Sequence, residues 1–176
     1  MRILKNCLIG LVILIAVLAA VGMLLPRSVT VTRSIIIDAP PSAVFPLVNS
    51  MQRTEEWSPW LAMDPEVALT YSGPSQGVGN TLEWSSDNPK VGTGRQEITQ
   101  SEDNKRVATA LDFGDMGLAT AQFDLVSMGG GTEVTWGLVA DMGNTPIGRW
   151  MGLLMDRLVG ADYEKGLINL KKAVEG

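Results

Sequence analysis

Three patterns of apolar and polar positions follow one another along the chain. Residues 7–25 form an apolar run without a charged side chain. Between residues 29 and 142, apolar and polar positions alternate, β-branched residues are common, and Gly, Pro, Asn and Asp interrupt the alternation at intervals. From residue 145 onward the apolar positions recur at helical spacing. These patterns predict an apolar helix, then a sheet of several strands, then a long C-terminal helix.

The apolar run has the length of a membrane-spanning helix. At 1.5 Å per residue it extends about 28 Å, close to the roughly 30 Å hydrocarbon core of a bilayer. Arg2 and Lys5 precede the run. By the positive-inside rule, the N-terminus is cytoplasmic and the remainder lies on the extracytoplasmic (periplasmic) side. We therefore expect residues 1–26 to be a transmembrane anchor, which meets the membrane through residues 7–25, and residues 27–176 to form one domain.

A cleaved signal peptide is the alternative interpretation of this run. The apolar part of a signal peptide is usually shorter, and small residues at Ala19, Ala20 and Gly22 could support cleavage. The apolar run continues through Leu25, past these small residues, and this length favours a retained anchor. A buried core helix is disfavoured by the absence of a polar face.

The alternating region predicts seven strands and two short helices. The first strand covers residues 29–38, and short helices at 43–49 and 51–57 follow it. Six strands linked by turns come next, at residues 66–71, 79–85, 92–100, 105–113, 118–127 and 132–142. Because consecutive strands joined by short turns pair with each other, this order is typical of an antiparallel α+β fold with a strongly curved sheet.

The predicted C-terminal helix covers residues 145–174 and is about 45 Å long. Thr145 and Pro146 supply a capping residue followed by proline in the first turn. Its apolar positions share one face, which we expect to lie across the sheet: Ile147, Trp150, Met151, Leu154, Leu158, Ala161 and Ile168.

Two absences from the composition limit the chemistry. The chain has no histidine, which is the commonest general base and metal ligand, and Cys7 is its only cysteine. We therefore expect no metal site, no cofactor and no Ser–His or Cys–His nucleophile. The formal net charge is −5, without a basic cluster, so that nucleic acid is disfavoured as a partner.

The first strand–helix junction identifies a family. Residues 35–45 (IIIDAPPSAVF), the Glu-Trp-Ser-Pro-Trp stretch at 56–60, Asp64-Pro65, and the segments 71–74 and 77–79 together resemble the SRPBCC superfamily. This is the START-like or helix-grip group, and the resemblance is specifically to its polyketide cyclase/dehydrase and lipid-transport branch. The resemblance covers residues 29–174. It implies a curved sheet wrapped around the C-terminal helix, with a cavity between the two.

The resemblance also implies which residues line that cavity. Large apolar side chains on inward strand faces and on the helix, together with one inward polar residue, are the candidates for a hydrophobic ligand pocket. For any single member, ordinary core packing is the better interpretation. The candidates are Trp57, Trp60, Tyr71, Trp84, Gln96, Phe113, Phe123, Trp136, Met142, Trp150, Met151 and Met155.

Acidic residues near the tryptophans are candidates for proton transfer. Glu55, Glu56 and Asp64 could act in acid–base chemistry if burial raised their pKa values. A solvated helix face is the simpler interpretation of Glu55 and Glu56. Glu83, Arg95 and Glu97 have the strand parity opposite to that of the apolar positions, so we expect them on the outer face.

Three functions remain open at this level. The first is a membrane-anchored protein that binds a hydrophobic small molecule or lipid between helix and sheet. The second is a cyclase- or dehydratase-type enzyme, which requires an ionisable side chain with a shifted pKa in the pocket. The third is a module that acts on a partner in the cell envelope, which an exposed apolar patch outside the pocket would favour.

Overall fold

The computed structural model describes residues 2–114 and 117–176 of the chain. Within these residues three α-helices accompany one sheet of seven strands, and two 3-10 turns (Gln52–Glu56 and Leu61–Met63) follow the second helix. The helices are α1 (Arg2–Leu24), α2 (Pro41–Val48) and α3 (Pro146–Glu175). The strands are β1 (Ser28–Ile37), β2 (Ala68–Ser72), β3 (Thr81–Ser85), β4 (Thr93–Glu102), β5 (Arg106–Asp112), β6 (Leu118–Met128) and β7 (Gly131–Asp141).

The strands pair in the order β1-β7-β6-β5-β4-β3-β2, and every pairing is antiparallel. Strands β2 to β7 follow one another through turns, while β1 joins the opposite edge beside β7 because α2 and the 3-10 turns carry the chain across. A bulge between Ile98 and Gln100 interrupts the β4–β5 register. The α+β helix-grip fold expected from the sequence is confirmed.

The sheet has two distinguishable ends. One, which we call the α1 end, contains the start of β1 directly after α1; there Ser28 pairs with Asp141, and Leu118 lies at the start of β6. The opposite end, which we call the far end, contains Ile37 paired with Thr132. Because the strands are paired across the whole sheet, the pairing register gives the position of every inward side chain between these two ends.

Helix α3 packs mainly on the edge strand β1 and more lightly on β7. Thr145 caps it by accepting a hydrogen bond from the Gly148 amide at 3.1 Å. The buried positions of the helix are three glycines and three larger residues, and glycine permits the close approach. They are Gly152, Gly160, Tyr163, Gly166, Leu167 and Leu170.

The predicted sheet-facing side of α3 is wrong. Ile147 is 77% exposed, Leu154 49% and Leu158 55%, and Trp150, Met151, Ala161 and Ile168 are exposed as well. The physical reason is that glycine carries no hydrophobic signal, so the pattern of apolar positions does not mark the face that contacts β1 closely. Most of the large aliphatic residues in the first half of α3 lie on the side turned away from the sheet.

Helix α1 stands apart from the domain along most of its length. Gly22 is its only buried residue among those described. In this part of the chain α1 is the one helix long and apolar enough to cross a membrane, although a signal sequence has the same properties. Its last turns contact the start of α3, so the apolar helix and the domain meet at the α1 end of the sheet.

Candidate ligand site

The middle of the concave sheet face is filled by an aromatic cluster. Five rings belong to it, from β6, β7, α3 and the segment after α2: Trp57, Trp60, Phe123, Trp136 and Tyr163. Trp57, Phe123, Trp136 and Tyr163 are each at most 5% exposed. The cluster therefore packs as core between sheet and helix.

Trp136 lies at the centre of this cluster. Its ring stacks on Tyr163 with a centroid distance of 3.8 Å and on Phe123 at 4.9 Å. Trp57 and Trp60 approach it edge-on, at 5.3 Å and 5.8 Å. The indole N–H of Trp136 is buried without an acceptor among the described residues, which is an unfavourable arrangement for a polar group.

The α1 end of the same concave face is only half covered. The inward residues of β2 to β5 there are half-buried, whereas those of β6 and β7, such as Ala119 and Ala140, are buried. Helix α3 makes its main contacts with β1 and β7, at the other side of the sheet. We call this region the open inner face. Its residues belong to strands β2 to β5, apart from Phe113, which directly follows β5. They are Leu69, Tyr71, Trp84, Gln96, Leu111 and Phe113.

Trp84 and Phe113 define the most apolar part of the open inner face. Their ring centroids are 5.9 Å apart in an edge-to-face arrangement, and the Trp84 indole donates to the Val91 carbonyl at 3.2 Å. Trp84 lies over its cross-strand partner Gly94, where an added Cβ would be 2.7 Å from the indole Cη2. Gly94 thus provides the space in which the indole lies flat on the sheet.

Two polar side chains accompany these rings. Gln96 donates to Thr109 Oγ1 at 2.9 Å, and Tyr71 donates to Glu55 Oε1 at 2.6 Å. Burial, and next the hydrogen bond to Glu55, raise the pKa of the Tyr71 phenol above its usual range. Tyr71 is therefore a protonated hydrogen-bond donor at neutral pH.

A cation that the sequence analysis did not select also lies on the concave face. Arg33 of β1 pairs across the sheet with Trp136 and forms ion pairs with Asp156 at 2.9 Å and Glu164 at 2.8 Å. The two acidic residues of α3 raise the pKa of the Arg33 guanidinium through their hydrogen bonds. In the sequence, the alternation of inward and outward positions along the first strand places Arg33 on the inward face, and this alternation could have identified it as a candidate.

The remaining candidate residues are spread over several environments. Met142 is half-buried against Gly152 at the α1 end, and Met155 is half-buried one turn further along α3. Trp150 and Met151 lie outside the helix–sheet interface, because Trp150 is 36% exposed and donates to the Leu18 carbonyl of α1 at 3.0 Å. The structure thus brings the candidates together in two groups and leaves Trp150 and Met151 apart.

Most of the acidic candidates are engaged in surface interactions. Glu56 forms an ion pair with Arg53 at 2.6 Å, and this hydrogen-bonded pair lowers the pKa of Glu56. Asp64 accepts a hydrogen bond from Ser86. On the outer face, Arg95 bridges Glu83 at 3.5 Å and Glu97 at 2.7 Å, as the strand parity predicted.

Two surface cavities lie outside both groups. One, of about 330 Å³, opens at the α1 end and is lined by Arg27, Leu118, Val139 and neighbouring sheet residues. The other, of about 210 Å³, lies between β1 and α3 and is lined by Ile35, Leu167 and their neighbours. None of the candidate pocket residues lines either cavity. Within the described residues, no group of three His, Cys, Asp or Glu side chains could hold a metal ion.

Comparison with protein families gives one match. The family model described as polyketide cyclase / dehydrase and lipid transport matches residues 28–175. None of the curated proteins matches the chain.

Solved structures share the fold at low identity. The protein TTHA0849 from Thermus thermophilus has 22% identity and a TM-score of 0.60, over 82% of this chain and 96% of that one. The protein CV1439 from Chromobacterium violaceum has 14% identity and a TM-score of 0.60, over 84% and 97%. The di-domain ARO/CYC StfQ from the steffimycin biosynthetic pathway has 12% identity and a TM-score of 0.62, over 85% of this chain and 51% of StfQ.

Proposed function

The chain belongs to the polyketide cyclase/dehydrase and lipid transport family, and on that premise we propose that it is a membrane-anchored protein that binds a hydrophobic small molecule or lipid. The family and the fold suggest hydrophobic ligand binding or a cyclase-like role. The ligand would occupy the concave face beside α3, in contact with the open inner face. Helix α1 would hold the domain at the membrane.

The observation that carries this proposal is the open inner face. Trp84, Leu111 and Phe113 expose part of their apolar surface on the concave side of the sheet. These side chains are already partly covered, so a guest gains about 25 cal/mol for each Å² of their remaining apolar surface that it buries. Gln96 and Tyr71 add few polar groups, as in a typical small-molecule site.

The two groups of candidate residues would have different roles. The aromatic cluster around Trp136 would be the rigid floor of the site, because its rings already fill their own space. The open inner face, with Met142 and Met155 at its helix side, would contact the ligand. Methionine adapts to guests of different shape, which suits a variable hydrophobe.

The anchor assignment rests on exposure. Along α1, every described residue except Gly22 and the half-buried Ala19 is exposed in the isolated chain. So long an apolar helix is unfavourable in water, whereas a bilayer would cover it. Arg2 and Lys5 favour a cytoplasmic N-terminus and a domain on the extracytoplasmic side.

The test is native mass spectrometry of the detergent-solubilised full chain, followed by extraction of bound compounds. We expect a reproducible co-purifying hydrophobe. Phe113→Ser should lower its occupancy about tenfold, since removing one buried aromatic contact costs more than about 1.4 kcal/mol. Val126→Ser is the matched control, because Val126 is 51% exposed on the outer face.

Two outcomes would contradict ligand binding at this site. One is a clean unliganded mass after purification and after incubation with membrane lipid extract. The other is equal occupancy in the Phe113→Ser and Val126→Ser variants, because a ligand held by the open inner face must respond to the first and not to the second. Circular dichroism of both variants would establish that they are folded.

The second candidate function is a cyclase- or dehydratase-type enzyme. Tyr71 favours it, because its phenol belongs to the open inner face and donates a hydrogen bond to Glu55. A proton donor beside an apolar site can support such chemistry. If the co-purified compound is a substrate, Tyr71→Phe should retain binding and abolish its conversion on prolonged incubation. Unchanged conversion in this variant would exclude Tyr71 as the proton donor.

A further inference from the structure

The N-terminal half of α3 carries a row of exposed apolar side chains that the binding site does not use. Ile147, Met151, Leu154 and Leu158 follow one another at helical spacing and are 77%, 47%, 49% and 55% exposed. Leu153, on another face of the helix, is 57% exposed. We call this row the α3 stripe. A contiguous apolar surface of this kind marks a contact with a partner or a membrane.

The stripe is held at a defined place along the apolar helix α1. Trp150 donates its indole N–H to the Leu18 carbonyl at 3.0 Å, and Arg149 donates to the Leu25 carbonyl at 3.1 Å and also to that of Met23. Gly22 permits this contact, because a Cβ there would lie 2.9 Å from the Trp150 indole nitrogen. The first turns of α3 and the last turns of α1 therefore meet side by side.

This contact sets the depth of α3 relative to a membrane crossed by α1. Leu18 precedes the last helical residue, Leu24, by six positions, which is about 9 Å along the helix axis. The Trp150 indole thus reaches a level below the outer end of α1, where the headgroup and acyl regions meet. Tryptophan is enriched at this level in membrane proteins.

The sheet is also apolar on this side. At the α1 end, Leu118 is 63% exposed and Val139 43% exposed on the outer face, beside the start of β1. The basic side chains nearest the junction are turned to polar partners, since Arg27 binds Asp141 and Arg149 binds the end of α1. The α1 end of the domain therefore exposes apolar side chains on both α3 and the sheet.

We propose that the α3 stripe is embedded in the interface of the same bilayer that α1 crosses. The domain then rests on the membrane with its α1 end downward, and α3 begins as an interfacial helix before it leaves the membrane to pack on β1. Continuity with α1 favours a bilayer over a second copy or another protein, because the stripe begins at the contact with the apolar helix itself. This inference rests on the proposed role of α1 as an anchor and is independent of ligand binding.

The orientation has a consequence for the binding site. Because the open inner face lies at the α1 end, it would face the bilayer at short range. A hydrophobic ligand would then pass between the acyl region and the concave face along the α3 stripe, without crossing bulk water. Lipids and membrane-dissolved hydrophobes are the ligand class that this route serves.

The test places a fluorescent label on the stripe of the full chain. In a Cys7→Ser background, Leu154→Cys and Leu158→Cys each receive an environment-sensitive NBD label, and Val126→Cys is the control with similar exposure. The proteins are reconstituted in phosphatidylcholine vesicles containing phosphatidylglycerol. We expect nitroxide-labelled lipids to quench the two stripe labels about twofold or more relative to the control, and aqueous iodide to quench mainly the control.

Each other result overturns the proposal in a distinguishable way. In the first case the protein floats with the vesicles, but iodide quenches the stripe labels as strongly as the label at position 126. The stripe then lies in water, and only the proposal that α1 is an anchor is retained. If neither quencher reaches the stripe, a second copy or a protein partner covers it instead of lipid. If the protein does not float with vesicles, α1 is not an anchor, and the embedding of α3 falls with it, whereas the mass spectrometry of bound ligand is unaffected.

Discussion

The guanidinium group of Arg33 lies directly over the backbone of Gly160. A Cβ atom at position 160 would be 2.7 Å from Arg33 Cζ, closer than side chains normally pack. The same guanidinium is held by Asp156 and Glu164, one turn before and one turn after the glycine. Strand β1 and helix α3 are thus joined by an arginine that fits only because the helix has no side chain at this point.

Alanine at Gly160 and at Gly166, two of the three buried glycines of α3, should have unequal effects. At Gly166 a Cβ would meet the Trp136 ring at 2.7 Å and Pro59 at 3.1 Å, and both neighbours are rigid. Overpacking of this kind costs about 1–3 kcal/mol, more than the gain of up to about 1 kcal/mol in helix propensity. We expect Gly166→Ala to lower the urea midpoint. Gly160→Ala should lower it less, because it displaces only the end of the Arg33 side chain; the reverse order would contradict this packing.

Arg33 should contribute more to stability than a surface arginine with as many acidic partners. Arg33→Met leaves Asp156 and Glu164 without their cation and removes a link between helix and sheet. Arg95→Met is the matched control, because Arg95 bridges Glu83 and Glu97 within the sheet. Solvent-exposed ion pairs such as those of Arg95 contribute little to the free energy of unfolding. The thermal midpoint of unfolding should therefore decrease more for Arg33→Met than for Arg95→Met. Equal decreases would mean that the link between β1 and α3 stabilises the fold no more than a surface ion pair does.

Substitutions of Trp136 should separate its packing from its unpaired N–H. Trp136→Ala removes the centre of the aromatic cluster and should cost about 3–5 kcal/mol. Trp136→Phe loses part of the ring but also removes a buried donor without an acceptor among the described residues, whose burial costs about 1–3 kcal/mol. We expect the phenylalanine variant to lose about 1 kcal/mol or less in chemical denaturation. A loss close to that of alanine would contradict this interpretation of the unpaired N–H.

Acid stability should depend on the ion pair at the α1 end. The hydrogen bonds from Arg27, and then that from the Gly143 amide, lower the pKa of Asp141 from 3.8 to about 2. A carboxylate with a lowered pKa stabilises the fold above its ordinary pKa, and this contribution disappears as pH falls through about 2. Asp141→Asn should therefore flatten the loss of stability between pH 3.8 and about 2.

The control for the acid experiment is Asp87→Asn, because Asp87 is exposed in a turn. The measurement is the thermal midpoint of each variant across this pH range in low salt, where surface ion pairs are least screened. An unchanged slope in Asp141→Asn would show that the pair with Arg27 does not contribute to acid stability.

The architecture could be read from local patterns. Alternating β-branched positions predicted the seven strands, although several ends differ by one or two residues, and strand parity placed Glu83, Arg95 and Glu97 together on the outer face. The capping residue Thr145 marked the start of α3. These features depend on neighbours in sequence or on adjacent paired strands, and period-two alternation records them directly.

The packing of α3 could not be read in the same way. Its apolar residues at helical spacing are mostly exposed, whereas Gly152, Gly160 and Gly166 contact the sheet. The separation of the aromatic cluster from the open inner face likewise depends on how far the helix covers the concave side, since Trp136 and Trp84 have the same inward parity. Periodicity identifies which side chains share a face. Which surface covers that face depends on how elements distant in sequence approach each other in three dimensions. The local order of helices and strands is thus encoded along the chain, and the choice between core, ligand site and membrane contact arises only when α3 settles on β1 and α1.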